Sequence, residues 1–174
     1  MQNGLRPTIY YCNPNIHPHE EYQTRKDECT RYAQSLGLTI VDDDYDHDAW
    51  LRAVSGLEHE PERGRRCLAC FRYRLQRTAE YAHEHGFDHI TTTLASSRWK
   101  SLEQIDEAGQ WAVAPYDDVS WWGQNWRRGG LSERRAAIIR EYQFYNQRYC
   151  GCEFSHAQQT DCPSAVPTNN PTHA

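Results

Sequence analysis

At 174 residues the chain is one domain long, enough to bury a real core. Its 38% hydrophobic and 25% charged residues, with 10 Gly and 8 Pro, exclude wholesale disorder, and no apolar run approaches the roughly 20 residues that cross a bilayer. A net charge of -5 argues against a generally basic nucleic-acid binder, while local basic patches remain open.

Pro7 to Cys12 is rich in β-branched and aromatic residues and predicts a short buried strand that Asn13-Pro14-Asn15 stops. From about His19 to Leu36 the apolar positions Tyr22, Cys29, Tyr32, Ala33 and Leu36 fall at helical spacing, and Gly37 supplies the stop. Leu38 to Val41 predicts the next strand, Asp48 to Leu57 a short helix and the charged segment Glu58 to Arg66 a loop. A strong helix runs from about Leu68 to His85 with Phe71, Leu75, Thr78, Ala79 and Ala82 on one face. His89 to Leu94 reads as a strand, Ser101 to Trp111 as a helix and Ala112 to Tyr116 as a further strand. Gly129-Gly130 leads into a last helix, capped by Ser132, with Leu131, Arg135, Ile138, Tyr142, Tyr145 and Tyr149 along one side. The order β-α-β-α-α-β-α-β-α implies an α/β fold in which helices flank a parallel sheet. Ligands bind such sheets at the carboxyl ends of the strands, so Asn13-Pro14-Asn15 and Thr91 to Ser97 are candidate pocket walls. The domain is expected over residues 1–154, and residues 155–174, rich in Gln, Thr, Pro, Asn and Ser, read as a disordered tail.

Seven cysteines are an odd count, and Met1 to Pro7 shows neither an apolar signal region nor a cleavage site. Reduced thiols in a cytoplasmic chain, used for metal or redox chemistry, are the expectation. Cys67 and Cys70 stand at a helix start, where unpaired N–H groups and the macrodipole favour thiolates, and their C-x-x-C spacing lets two sulfurs reach one metal. The spacing suits an iron-sulfur cluster, half a zinc site or a dithiol oxidoreductase equally, and two structural thiols are the bland alternative. Cys150-Gly151-Cys152 puts two thiols one residue apart around a glycine that lets the backbone bend, so a disulfide there would close a short, easily reduced loop. Metal ligands or inert thiols are the alternatives. Cys29 reads as packing, Cys162 falls in the tail and Cys12 is ambiguous. Arg63, Arg65, Arg66, Arg72, Arg74 and Arg77 surround the first motif, and Trp121, Trp122, Trp126, Arg127, Arg128, Arg134 and Arg135 precede or open the last helix. Such mixtures suit stacking on unpaired bases, although a solvated helix face with packed tryptophans explains them as well. His17 and the acidic run Asp42-Asp43-Asp44 offer metal ligands, or simply a turn residue and a charged strand end.

In order, Cys12-Asn13-Pro14-Asn15-Ile16-His17-Pro18, Glu21-Tyr22 with Arg25, Glu60-Pro61-Glu62-Arg63-Gly64-Arg65-Arg66-Cys67-Leu68-Ala69-Cys70-Phe71 with Arg74-Leu75, Thr91-Thr92-Thr93-Leu94, and Tyr149-Cys150-Gly151-Cys152-Glu153-Phe154-Ser155 resemble the QueH-type epoxyqueuosine reductases. The resemblance implies reduction of epoxyqueuosine to queuosine at the wobble position of tRNA, the last step of queuosine synthesis, by an oxidoreductase with an unidentified electron donor. It also implies a 4Fe-4S cluster with Cys67 and Cys70 among its ligands, a second metal ion, taken as iron, with unassigned ligands, and a redox-active disulfide between Cys150 and Cys152. The fold implied is Rossmann-like and related to the PP-loop ATPases. Family members begin with a strand ending in His-Cys-Cys-x-Pro-Cys, which carries the remaining cluster ligands. Met1 to Arg6 corresponds to sequence just before the second strand, so the first strand and helix are expected to be missing, through a truncated reading frame or with Cys12 recruited in a rearranged cluster. A small-molecule thiol oxidoreductase and an inactive zinc- or metal-binding relative are the competing functional readings.

Overall fold

The computed structural model describes residues 4–145 and 147–155. Strand β1 (Ile9–Tyr11) leads through helix α1 (His19–Ser35) to β2 (Ile40–Asp42). Helices α2 (His47–Ala53) and α3 (Arg65–Glu84) follow, then β3 (His89–Ile90), a 3-10 helix (Thr93–Ser96), α4 (Leu102–Val113), β4 (Ser120–Trp121) and α5 (Leu131–Tyr142). The order of strands and α-helices is the one the hydrophobic periodicity predicts. The strands pair as two separate two-stranded parallel sheets, β1 with β2 in the register Ile9 to Ile40 and β3 with β4 in the register His89 to Ser120. The fold is therefore mixed α/β with small parallel sheets rather than one continuous sheet among the described residues. None of the described helices is long and apolar enough to cross a membrane.

The larger core lies between α3 and α4. Phe71, Leu75, Ala79 and Ala82 on one face of α3 meet Ile105, Ala108 and Ala112 of α4, and Ile90, Ala95 and Val119 close the layer from the second sheet. Alanines at these positions let the two helices approach closely. Gly109 has the same effect on β4: a Cβ there would lie 2.2 Å from the Trp121 ring. This packing also explains a difference from the sequence reading, which placed a strand at Ala112 to Tyr116. Ala112 is buried one turn after Ala108, so the helical face continues to Val113, and Pro115 then ends it. The strand forms later, at Ser120–Trp121.

The last helix also departs from expectation. Ser132 does not cap it; Gly130 occupies the N-cap in a left-handed conformation, and the Ser132 hydroxyl donates instead to the Arg127 carbonyl. The helix stops at Tyr142 because Gln143 turns left-handed, at φ 49°. Tyr142 and Phe144 then pack edge-on against Tyr32 of α1, and the Tyr145 hydroxyl donates to Glu21, so the segment returns toward the start of α1. Ser155 is buried, and residues 156–174, with Cys162, lie outside the described residues.

The acidic run at the end of β2 serves the fold. Asp43 is buried and accepts from both Nε and Nη2 of Arg77, and the Asp42 carboxylate takes the Tyr22 hydroxyl at 2.9 Å and an ion pair with Lys26. Burial pushes the Asp43 carboxyl up, but bonds from Arg77, Cys12 and Tyr10 outweigh it and hold the group below its ordinary value. A depressed folded value stabilises the protein fully above the usual aspartate range, and that stability disappears as pH falls through the lowered value. Unfolding midpoints measured from about pH 5 down to about pH 2 should therefore fall less steeply in Asp43→Asn than in the unmodified chain.

Candidate functional site

The two cysteine motifs, some eighty positions apart in sequence, come together in space. Helix α3 begins at Arg65, three residues before the predicted start, because Gly64 provides an extended N-cap whose carbonyl accepts from Cys67 N–H at 3.1 Å. Gly64 fits there because a Cβ would lie 2.9 Å from the Pro61 carbonyl oxygen. Cys67 and Cys70 thus stand in the first two turns. Cys70 packs in a small core with Trp50, Val54 and Cys152, and Cys150 and Phe154 lie against it. Cys67, one turn earlier on α3, packs against the larger core.

The Cys150-Gly151-Cys152 turn is anchored to α1. Arg25 pairs with Glu21 at 2.7 Å and donates to the carbonyls of Tyr149 at 3.1 Å and Cys150 at 3.2 Å. His17 N–H donates to Gly151 O at 2.8 Å, and the Tyr149 hydroxyl donates to His17 O. Gly151 has φ 105°, and a Cβ would lie 2.9 Å from both Arg25 Nη1 and Ile16 Cγ1. Its freedom, expected to let two sulfurs meet, also lets the turn sit flat against α1.

Electrostatics correct one expectation. The helix start was expected to favour thiolates, yet burial wins and raises Cys67, lifts Cys70 to about 11 and raises Cys152, against smaller lowering effects from Arg63 N–H, Lys100, Arg74 and the backbone N–H groups of Ser155 and Phe154. Such thiols are protonated at neutral pH, and only a coordinating metal would deprotonate them outright. All six described cysteines are free thiols. Cys12 is buried, and its thiol, raised by burial, bonds to Asp43, while its carbonyl accepts from Arg74 of α3. Cys29 packs against the Tyr11, Ile16 and Tyr22 core, as expected.

Several predicted nucleic-acid contacts prove structural. Arg66 is 1% exposed, and its guanidinium donates to the carbonyls of Leu57, Glu58 and Glu60 while lying 5.1 Å from the Phe154 ring centroid. Arg74 donates to Cys12 O and Asn13 Oδ1, Arg77 to Asp43, Arg72 pairs with Glu107 and Arg65 with Glu60. Trp121 Nε1 bonds to Asp106 and Trp126 Nε1 to the Thr92 carbonyl, so both rings are fixed in the fold. The sequence reading did not single out Lys100 and Trp99. Lys100 Nζ donates to Cys150 Sγ at 2.8 Å; burial lowers its basicity, but the Cys150 and Cys67 sulfurs outweigh that and hold it above its ordinary value. An open cleft of about 560 Å³, lined by Arg63, Arg98, Lys100, Arg127 and Glu103, starts at this lysine. Trp99 is 61% exposed beside it, with Arg98 over its ring. The signal was a Trp-Lys pair soon after the Thr91 to Ser97 stretch. That stretch does form a wall, since Thr91, Thr92 and Ala95 line a second cavity of about 210 Å³.

The joined motifs decide the kinship. A family model described as epoxyqueuosine reductase QueH matches residues 1–158, which includes both cysteine pairs. The chain belongs to the QueH family. It is similar to proteins named epoxyqueuosine reductase QueH from Haemophilus influenzae, at 47% identity over 155 residues, and Histophilus somni, at 48% over 153 residues. The alignments cover 89% and 88% of this chain and 63% of each relative. A QueH of the same name from Acinetobacter baylyi is 43% identical over 155 residues, covering 71% of that relative. The chain thus spans less than two thirds of the length of the first two.

Proposed function

We propose that the chain carries the thiol centre of an oxidoreductase that reduces epoxyqueuosine to queuosine in tRNA. The observation that carries the reading is the packing of Cys70 with Cys150 and Cys152, one helical turn from Cys67, beside a basic cleft whose Lys100 bonds to Cys150. Membership of the QueH family supplies the substrate. In this reading the Cys150 and Cys152 dithiol becomes a disulfide, releasing two electrons and two protons. Both C–O bonds of the epoxide break, an alkene remains and the oxygen leaves as water. An external donor then reduces the disulfide. A cation at Lys100 Nζ, 2.8 Å from Cys150 Sγ, offsets negative charge that develops at the thiols. A tRNA substrate implies a cytoplasmic setting.

The donor chemistry fits part of a 4Fe-4S site. Cys67 and Cys70 suit two of the four thiolate positions such a cluster requires. Four ligands drawn from this cleft would enlist Cys150 and Cys152 as well, which the redox role reserves. Held there, a cluster would supply electrons one at a time. The two parallel strand pairs, each with an α-helix between its strands, are in keeping with a Rossmann-like fold, and a relation to the PP-loop ATPases rests on the family resemblance alone.

Trp99 offers an exposed ring on which an unpaired base can stack, and Arg98 offers a phosphate contact on the cleft wall, where Arg63 is held by the Trp99 and Arg98 carbonyls. Binding of a queuosine-pathway tRNA, followed by gel shift at several salt concentrations, should weaken as salt rises. Arg98→Ala should weaken it further and reduce the salt slope by about one. An unchanged slope would remove the cleft as the RNA site, and no binding at low salt would favour a small-molecule thiol oxidoreductase.

A further inference from the structure

His17, His47 and Glu153 are a second group of potential ligands, distinct in chemistry from the four thiols, on three different segments of the fold. Each offers one ligand atom, and these atoms lie within 4.8 Å of one another. His17 follows β1, His47 opens α2 and Glu153 directly follows Cys152. The long-range backbone bond between His17 N–H and Gly151 O holds the first and third segments together, so the convergence is built into the fold.

The hydrogen bonding of His47 prepares it for a cation. Its Nδ1 lies 2.7 Å from the Pro14 carbonyl, which can only accept, so Nδ1 carries the proton and Nε2 presents a lone pair. That Nε2 is buried without a hydrogen bond, and so is Glu153 Oε1, 3.5 Å away. Two buried acceptors facing one another repel unless something positive sits between them. The His17 ring stacks on the His47 ring at 5.4 Å and completes the set.

We infer that His17, His47 and Glu153 bind a divalent first-row transition ion, Zn²⁺ or Fe²⁺, as a two-histidine, one-carboxylate site with room for a further ligand. Two imidazoles and a carboxylate are the donors these ions take in three-ligand sites that keep an open position, and they suit Mg²⁺ poorly. The inference rests on the geometry of the three residues and is independent of the reaction proposed for the thiols.

Anaerobic titration of the metal-free 174-residue chain with Co²⁺ separates this site from the thiol centre, because thiolate-bound cobalt shows an intense near-ultraviolet charge-transfer band and nitrogen- and oxygen-bound cobalt does not. One equivalent should bind without that band and be displaced by Zn²⁺ but not by Mg²⁺. In Glu153→Gln and in His17→Ala its affinity should fall by more than about 100-fold, beyond the usual cost of losing a second-shell partner, while the thiolate band stays. Glu153→Gln preserves shape and His17 is exposed, so both variants keep the fold; matching circular dichroism and unfolding curves check this. Cobalt that always carries the thiolate band, or a band-free equivalent that survives in both variants, would overturn the assignment and leave the three residues as a proton-sharing ion pair.

Discussion

Cys67→Ser and Cys70→Ser should each strip most of the iron from anaerobically reconstituted protein, and the double variant should retain almost none. Both sulfurs rise from the first two turns of α3, on a backbone fixed by the extended cap at Gly64, so serine at either place removes a ligand without disturbing the helix. Hydroxyl oxygen is a poor substitute for thiolate at an iron-sulfur cluster. Because burial keeps these thiols protonated when no metal is bound, iron uptake must release protons, and reconstitution should go further at higher pH. Iron and sulfide analysis of the unmodified and variant proteins at matched pH reads both effects. Equal iron in the unmodified chain and the double variant would remove these two residues from the site.

Arg66→Ala should destabilise the fold by about 3 to 5 kcal/mol, the scale for removing one partner of a buried charged network. Its guanidinium satisfies three loop carbonyls from Leu57 to Glu60 and lies against Phe154, so one side chain ties the segment before α3 to the segment after Cys152. Arg66→Lys keeps the charge and a donor for these carbonyls, which all bond to the one nitrogen Nη1, but loses the planar group against Phe154, and should recover only part of the loss. Denaturant unfolding measures both. Arg65→Ala, whose side chain is 76% exposed in its pair with Glu60, should cost less than about 1 kcal/mol and serves as the control.

The contrast between Arg65 and Arg66 shows what the sequence could and could not convey. Adjacent arginines look alike in a charge count, yet the helical turn points one to solvent and the other into the protein. Periodicity exposed the face of α3 because it buries a regular stripe, Phe71, Leu75, Ala79 and Ala82, whereas α1 buries only Tyr22 and Ala33. It failed at Ala112 to Tyr116, where short apolar runs suit helix and strand alike and burial of Ala112 against α3 decided the outcome. It failed again beyond Tyr142, where Tyr145 and Tyr149, at helical spacing, meet Glu21 and Arg25 of α1 after the helix has ended. Both cysteine motifs were legible from spacing and from resemblance. Their meeting, the bond from Lys100 to Cys150 and the convergence of His17, His47 and Glu153 depend on contacts between distant segments, which no local pattern encodes.

The central claim is that these thiols reduce epoxyqueuosine. It is tested most directly by incubating epoxyqueuosine-containing tRNA with the anaerobically reconstituted protein and a chemical reductant, digesting the RNA to nucleosides and weighing the wobble nucleoside by mass spectrometry. The account predicts loss of one oxygen atom to give queuosine, and no loss with Cys150→Ser or Cys152→Ser protein of equal iron content. Full conversion by both of those variants would contradict it.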